Sequence, residues 1–389
     1  MTTTTNNEQK KLNVPNLRFK EFQGEWEELG LSELLDFKNG LNPKPDKFGK
    51  GIKFISVMDI LNNTVITYDC IKASVDVTEK ELSDFSVEKG DMLFQRSSET
   101  LEDVGRANVY MDDKTAVFGG FVIRGKKKGV YDPQYFNYLL RSPFARKRII
   151  PMGAGAQHFN IGQEGLSKVK LHFADIEEQK KIGKMLCLLD ERISTQNKII
   201  EDLKKLKSAI SENLFKAVKG DVVILSEICE IIKGKQVNGE FLSEKGKYYV
   251  MNGGTEPSGY YSDYNVEANT ISISEGGNSC GYVQFNTSPF WSGGHCYTIQ
   301  KIADNVDNLY LYHYLKSKEY AIMKLRIGSG LPNIQKKDLA IFKIKIPTAK
   351  QQKVISTFLS SLERKAEIEE IIQNAMLKEK QYLLQQMFI

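Results

Sequence analysis

The feature that most constrains the fold of this chain is a helix written twice. EEQKKIGKMLCLLDERI at residues 177–193 returns in looser form as KQQKVISTFLSSLERKA at 350–366, with Glu178-Gln179-Lys180 facing Gln351-Gln352-Lys353 at an offset of 173. The same offset sets Ile182 on Ile355, Leu186 on Leu359, Leu214-Phe215 on Met387-Phe388 and, upstream, Asn160-Ile161 on Asn333-Ile334. With small gaps the likeness continues. FNYLLRS (136–142) resembles LYHYLKS (311–317), Gly119-Gly120 resembles Gly293-Gly294, and LSELLDFKNG (31–40) resembles LSEICEIIKG (225–234). Matches recurring in one order mark an internal duplication. The chain reads as block, helix, block, helix.

Each helix carries an apolar seam at heptad spacing: Ile182, Leu186, Leu189, Ile193, Ile200 and Leu203 in the first, and Ile355, Leu359, Leu362, Met376 and Leu383 in the second. Gln196 and Lys207 interrupt the first seam, and the second is more polar in its middle. Such stripes commonly pack on their own domain. A helix of roughly 38 residues is ~57 Å long at ~1.5 Å per residue, however, and overhangs a domain of this size. Pairing of the two helices covers that length better, either parallel or antiparallel.

The blocks between the helices are mixed. Strand-like runs occur at KFISVMDI, GDMLFQR, AVFGGFVIRG and KVKLHF in the first, and at YYVMNGG, NTISISEGG, GYVQFN, HCYTIQ and IFKIKIP in the second. One long helix is expected in each, PQYFNYLLRSPFARKRII and DNLYLYHYLKSKEYAIMKLR. This order predicts an α+β globule rather than a doubly wound sheet. The boundaries follow: a disordered polar lead at 1–19, blocks at 20–174 and 218–347, and long helices at 175–217 and 348–389.

Several classes of chemistry are missing. No G-x-x-x-x-G-K-[ST] loop or strand-linked G-x-G-x-x-G supports nucleotide binding. The five cysteines lack C-x-x-C spacing, and the four histidines have no evident acidic or cysteine partners, so no metal or catalytic constellation is expected. MTTTTNNEQKK has no signal-peptide core, and no apolar run of about 18 residues suggests a membrane span, so a cytoplasmic protein is expected. A net charge of +5 suits an anionic partner but is modest for holding DNA alone.

Polar loops and basic helix ends remain as binding surface. In the first block, FQRSSETLEDVGR supplies Arg96, Ser97, Ser98, Thr100 and Arg106, and NPKPDKFGKG supplies Lys44, Lys47 and Lys50. Arginine suits guanine, serine and threonine suit base edges, and lysine suits phosphate. In the second block Asn252, Tyr260, Tyr261, Tyr264 and Asn278 cluster among glycines, whereas Trp291 and His295 read as core packing. A basic helix end precedes a glycine loop in both blocks, with Arg146 and Lys147 in one and Lys324 and Arg326 in the other, which favours phosphate contact.

The doubled order, with EEQKKI and KQQKVI opening the helices and NIGQEGLSKVKLHF and NIQKKDLAIFKIKIP closing the blocks, resembles the DNA specificity subunit of Type I restriction-modification systems over about residues 20–389. The resemblance implies two target recognition domains separated by two long helices paired as an antiparallel coiled coil, with pseudo-two-fold internal duplication. Such a subunit reads a bipartite, asymmetric double-stranded DNA site without being an enzyme itself. It directs two modification (methyltransferase) subunits, which carry the S-adenosylmethionine, and the restriction subunits; no cofactor is expected on this chain. A stand-alone repressor with two fused half-site readers is the rival expectation. One departure from an even duplication stands out: Lys350-Gln351-Gln352 occupies the place of Glu177-Glu178-Gln179.

Overall fold

Strand pairing in each half follows the buried apolar runs. The structure is a computed structural model describing residues 13–328, 330 and 332–389. Its described residues divide into two units, one of residues 13–196 with 372–389 and the other of those between 197 and 371.

In the first unit, Glu27–Gly30 pairs antiparallel with Lys170–Phe173. A four-stranded antiparallel sheet runs in the order Leu35–Asn39, Val122–Lys127, Met92–Gln95, Ala107–Val109. A second sheet orders Ser74–Val75, Phe48–Ile55, Ala116–Phe118, Ser86–Val87, with its middle pair parallel. The second unit repeats the plan. Asp221–Ile224 pairs with Lys343–Ile346, and a four-stranded sheet runs Glu230–Lys233, Cys296–Gln300, Thr270–Ser274, Val283–Asn286. A smaller sheet sets Tyr248–Met251 parallel to Trp291–Ser292.

The long helices span Ile176–Ala217 and Ala349–Gln386. Within the first unit the start of the first helix meets the end of the second, since Ile182 and Leu186 share a core with Tyr135, Phe136, Met387 and Phe388. Within the second unit the end of the first helix meets the start of the second, since Phe215, Ile355 and Leu359 share a core with Tyr310 and Leu311. The helices are therefore antiparallel in each unit, and both packing modes weighed from sequence occur together. Leu186 and Leu359 are fully buried, each worth roughly 1.5–3 kcal/mol of transfer free energy. Ile193, Ile200 and Met376 are also buried, and Leu189, Leu203, Leu362 and Leu383 are half-buried.

The polar interruptions of the seam have partners. Lys207 pairs with Glu363 at 2.6 Å in the second unit, and Lys380 pairs with Asp190 in the first at the equivalent positions. Each acid also accepts a tyrosine hydroxyl from its own block, Tyr312 on Glu363 at 2.9 Å and Tyr138 on Asp190 at 2.7 Å.

Some expected elements differ. KFISVMDI holds a strand ending at Ile55 and a helix at Val57–Asn62, because Asp59 accepts the Ser56 N–H at 2.8 Å and starts a helix. The helix expected over PQYFNYLLRSPFARKRII breaks into Pro133–Arg141 and Pro143–Ile149. Pro143 has no N–H and disfavours helical backbone at Ser142, whose ψ is 151°. AVFGGFVIRG divides between two sheets at Gly119-Gly120-Phe121. Residues 1–12 of the polar lead lie outside the described residues, while Leu17 donates its N–H to Gln386 at 2.9 Å and Arg18 grips Glu178 at 2.7 and 2.8 Å. That grip accounts for the uneven duplication. Buried Glu178 answers Arg18 and the Trp26 indole N–H, whereas Gln351 accepts from nearby Thr348.

Candidate nucleic-acid interface

The candidate residues lie around one backbone framework present in both units. Gly40 N–H donates to Val122 O and Gly234 N–H to Cys296 O, at 3.1 and 2.9 Å. Leu41 N–H meets Phe118 O as Lys235 N–H meets Ser292 O, and Gly119 N–H meets Ile55 O as Gly293 N–H meets Met251 O. Arg96 N–H donates to Phe121 O and Glu275 N–H to His295 O, both at 2.9 Å. Ile161 N–H then donates to Arg96 O, and Ile334 N–H to Glu275 O, at 2.9 and 2.8 Å. Gly40 and Gly234 are needed for close approach. A Cβ on either would lie 2.1 or 2.3 Å from the carbonyl oxygen of Gly119 or Gly293.

Around this framework in the first unit, half-buried Arg96 donates from Nη1 to Gly120 O at 3.3 Å, using one of the five N–H donors of its guanidinium fork. Ser97 and Ser98 pair as a short strand with Phe159–Asn160, and the Ser97 hydroxyl is bonded to the Asn160 amide oxygen. Thr100 donates to Asp103 at 2.9 Å, and exposed Arg106 pairs with the same carboxylate at 2.6 Å. Lys44, Lys47 and Lys50 are exposed. Lys47 pairs with Asp76 at 3.1 Å, and this hydrogen bond holds its ammonium above the usual lysine range.

Arg146 is placed differently from its exposed neighbour Lys147. Its Nη2 donates to the carbonyls of Glu102 and Val104 at 2.8 and 2.7 Å, and burial pushes the guanidinium down to about 10. With Arg106 and Arg141 it lines a cleft of about 420 Å³. Among the described residues its Nη1 is buried without a hydrogen-bond partner, which leaves a donor in the cleft unanswered by them.

In the second unit, Asn252 accepts the His295 N–H at 3.0 Å. Tyr260 sits in a strand opposite Tyr249, Tyr261 packs edge-on to Trp291 at 5.0 Å, and the ring of exposed Tyr264 lies tilted at 47° against Tyr248, 4.8 Å between centroids. The Tyr264 hydroxyl donates to Glu267, whose charge raises the phenol above its usual range. Asn278, Lys324 and Arg326 are exposed, with Lys324 over the Tyr320 ring at 4.5 Å.

Sequence reasoning did not single out Glu275 and read His295 as core packing. The Glu275 carboxylate is 9% exposed and takes the Lys233 ammonium at 2.6 Å and the Tyr297 hydroxyl at 2.9 Å, with His295 Nδ1 at 3.6 Å. His295 was expected in the core, yet its side chain is 63% exposed, because it occupies the tip of the turn after the glycine pair. Trp291 is half-buried, donating to Lys235 O at 2.8 Å. Among the described residues no cluster of His, Cys, Asp or Glu is arranged to hold a metal, and no helix is long and apolar enough to cross a membrane.

The chain is similar to known proteins in sequence and in fold. A family model described as the Type I restriction modification DNA specificity domain matches twice, at residues 23–205 and 218–378. The chain is 25% identical over 403 residues to a protein of Methanocaldococcus jannaschii described as the specificity subunit of a type I restriction enzyme, MjaX, covering 92% of each. Its fold is similar to that of the S subunit of a Type-I restriction-modification system from M. genitalium, with a TM-score of 0.66 at 19% identity over 97% of this chain and 99% of that one. A second solved chain, from work on complex assembly and conformational transition of the type I R-M system, gives a TM-score of 0.58 at 15% identity over 92% of this chain and 96% of that one.

Proposed function

We propose that this chain, which belongs to the Type I restriction modification DNA specificity family, reads a bipartite, asymmetric double-stranded DNA site and directs partner subunits to it. As a member it is a non-catalytic specificity subunit. Residues 20–174 and 218–347 are taken as the two target recognition domains, and 175–217 and 348–389 as the helices of the coiled coil. The observation that carries the half-site reading is the backbone framework repeated in both units with different side chains upon it, Arg96 in one and Glu275 in the other. A repeated scaffold with unlike polar groups fits two readers of unlike base sequences.

In this reading Arg96, Ser97, Ser98 and Thr100 face bases in one half-site, with Lys44, Lys47, Lys50, Arg106, Arg146 and Lys147 serving phosphates or bracing that surface. Asn252, Tyr260, Tyr261, Tyr264 and Asn278 face the other half-site, with Lys324 and Arg326 on its phosphates. The partners are two methyltransferase subunits holding S-adenosylmethionine, and restriction subunits, in the cytoplasm. Exposed apolar side chains on the long helices support such docking: Leu188 and Leu377 in the first unit, and Val354, Phe358 and Ile371 in the second. Affinity purification through a tag on this chain, with methylome sequencing of cells carrying or lacking the gene, tests the reading. A methyltransferase in the eluate and a split methylated motif that vanishes with the gene are expected. Tight, sequence-specific binding by the isolated chain, with no methyltransferase and no lost motif, would replace the reading with a stand-alone repressor.

A further inference from the structure

Equivalent turns in the two units end on unlike side chains. Val122 N–H closes on Gly119 O at 2.8 Å, and Cys296 N–H closes on Gly293 O at 3.1 Å, so Phe121 and His295 occupy the same turn position. Both protrude, Phe121 at 68% exposure and the His295 side chain at 63%. Each offers its carbonyl to the residue at which the two readers differ in charge, Arg96 or Glu275. Stability gives no reason for a phenylalanine here, since exposed apolar surface forgoes roughly 25 cal/mol per Å² of burial.

The surroundings differ in the same sense. Phe121 stands beside an apolar cleft of about 390 Å³ formed with Leu41, Phe48, Phe54 and Met58, of which Phe48 and Met58 are themselves 42% and 60% exposed. The guanidinium of Arg96, bonded to Gly120 O, lies next to it in the same turn. His295 instead stands over a carboxylate that also anchors the half-exposed Lys233 ammonium at 2.6 Å. One tip is apolar beside a cation; the other sets two nitrogen groups beside a buried acid, the Lys233 ammonium bonded to it at 2.6 Å and His295 Nδ1 at 3.6 Å.

We propose that positions 121 and 295 are the equivalent specificity-determining positions of the two readers. Phe121 packs on the C5-methyl of a thymine, and His295, backed by Lys233, meets the acceptor edge of a guanine. Glu275 is a positioning residue, since its carboxylate is buried and acts through those two side chains. The thymine methyl is the apolar group on the major-groove face, and guanine offers adjacent N7 and O6 acceptors, so each tip matches one base edge. The inference rests on the half-site reading proposed above.

The test uses the tagged chain purified from its own cells with the subunits bound to it, presented with a random duplex library. Phe121→Ser is expected to lower discrimination at one thymine-containing position of one half-motif about 10-fold and to leave the other half unchanged. Phe121→Leu, which keeps an apolar contact, retains the wild-type motif. His295→Ala lowers discrimination at one guanine-containing position in the other half by a similar factor, and Glu275→Gln weakens the same position. An unchanged motif in Phe121→Ser or His295→Ala, or a uniform loss of affinity across all sequences, overturns the assignment while the wild-type motif leaves the half-site reading standing. A wild-type complex that selects no split motif overturns that reading itself.

Discussion

Replacing the glutamine that opens each long helix should uncouple that helix from its block. Gln352 is 1% exposed; its Oε1 accepts the Asp307 N–H at 2.7 Å, and its Nε2 donates to Asn305 O at 3.0 Å and Pro347 O at 2.9 Å. Gln179 makes the corresponding clamp in the first unit, accepting from Asp132 N–H at 3.0 Å and donating to Ala174 O at 2.8 Å. Gln352→Ala strands a buried N–H and removes the donor from two carbonyls. At about 1–3 kcal/mol for an unsatisfied buried group, with relief at the carbonyls, the expected cost is about 2–4 kcal/mol. Gln352→Glu is the sharper variant, because it keeps the acceptor but turns a carboxylate oxygen toward two carbonyl oxygens. Folding then favours the protonated acid, raising its pKa above the unfolded value of about 4.3. Relative to wild type, the variant should approach normal stability below about pH 4 and lose it as pH rises through the folded pKa. Hydrogen exchange on peptides covering Asn305–Ser317, with urea unfolding at pH 4 and pH 7, reads both effects locally. A Glu variant as stable as wild type at pH 7, or an Ala variant with unchanged exchange, would refute the clamp.

Arg96→Ala should relax recognition at one base position by about 1–3 kcal/mol, whereas Lys47→Ala should weaken binding evenly across sequences and reduce its salt dependence; competition binding by the assembled complex separates the two. Exchanging residues 20–170 for the matching region of another specificity subunit should change one half of the methylated motif, and a change in both halves would defeat modular reading. Burial holds the His313 imidazole, bonded to Ser360 at 2.8 Å, down to about 4. Its neutral form therefore contributes stability that is present above about pH 6.5 and is lost as pH falls toward 4, to an extent of about 3 kcal/mol, and urea titrations of wild type and His313→Gln should differ in that window.

The duplication, the long helices, their seams and the closing NI motifs of each block were legible because each is a matter of spacing along the chain. Two breaks were also written in plain residues, Pro143 after Ser142 and Asp59 after Ser56, though longer apolar runs masked them. The exposure of Phe121 and His295 was harder to see. AVFGGFVIRG looks like one buried strand, and only the division of Ala116–Phe118 and Val122–Lys127 between two sheets turns Phe121 outward. Glu275 was passed over because its partners, Lys233 and Tyr297, meet it through strand pairing rather than through sequence spacing. Arg146 likewise looked like a member of a solvated basic run, while the fold sets it under the Leu101–Asp103 turn.

These differences share a physical origin. Backbone N–H and C=O groups pair in a register that is nearly indifferent to side chains pointing away from the sheet, so the bonds joining Gly40 to Val122 and Gly234 to Cys296 survive a complete change of side chains beside them. Positions inside the framework have little freedom, as Gly40 and Gly234 show, since a Cβ there would collide with a carbonyl oxygen. Positions at its tip have much more, because a protruding side chain contributes little to folding and can be exchanged at small cost. In the proposed half-site reading, a chain that holds two readers on one plan while giving them unlike chemistry gains this separation from the fold. The invariant part is carried by main-chain bonds and by Gln179 and Gln352, and the variable part by Arg96 and Phe121 against Glu275 and His295. The same separation explains why block exchange should move a half-motif without unfolding the helices: the clamp that joins block to helix lies on residues present in both halves, away from the tips.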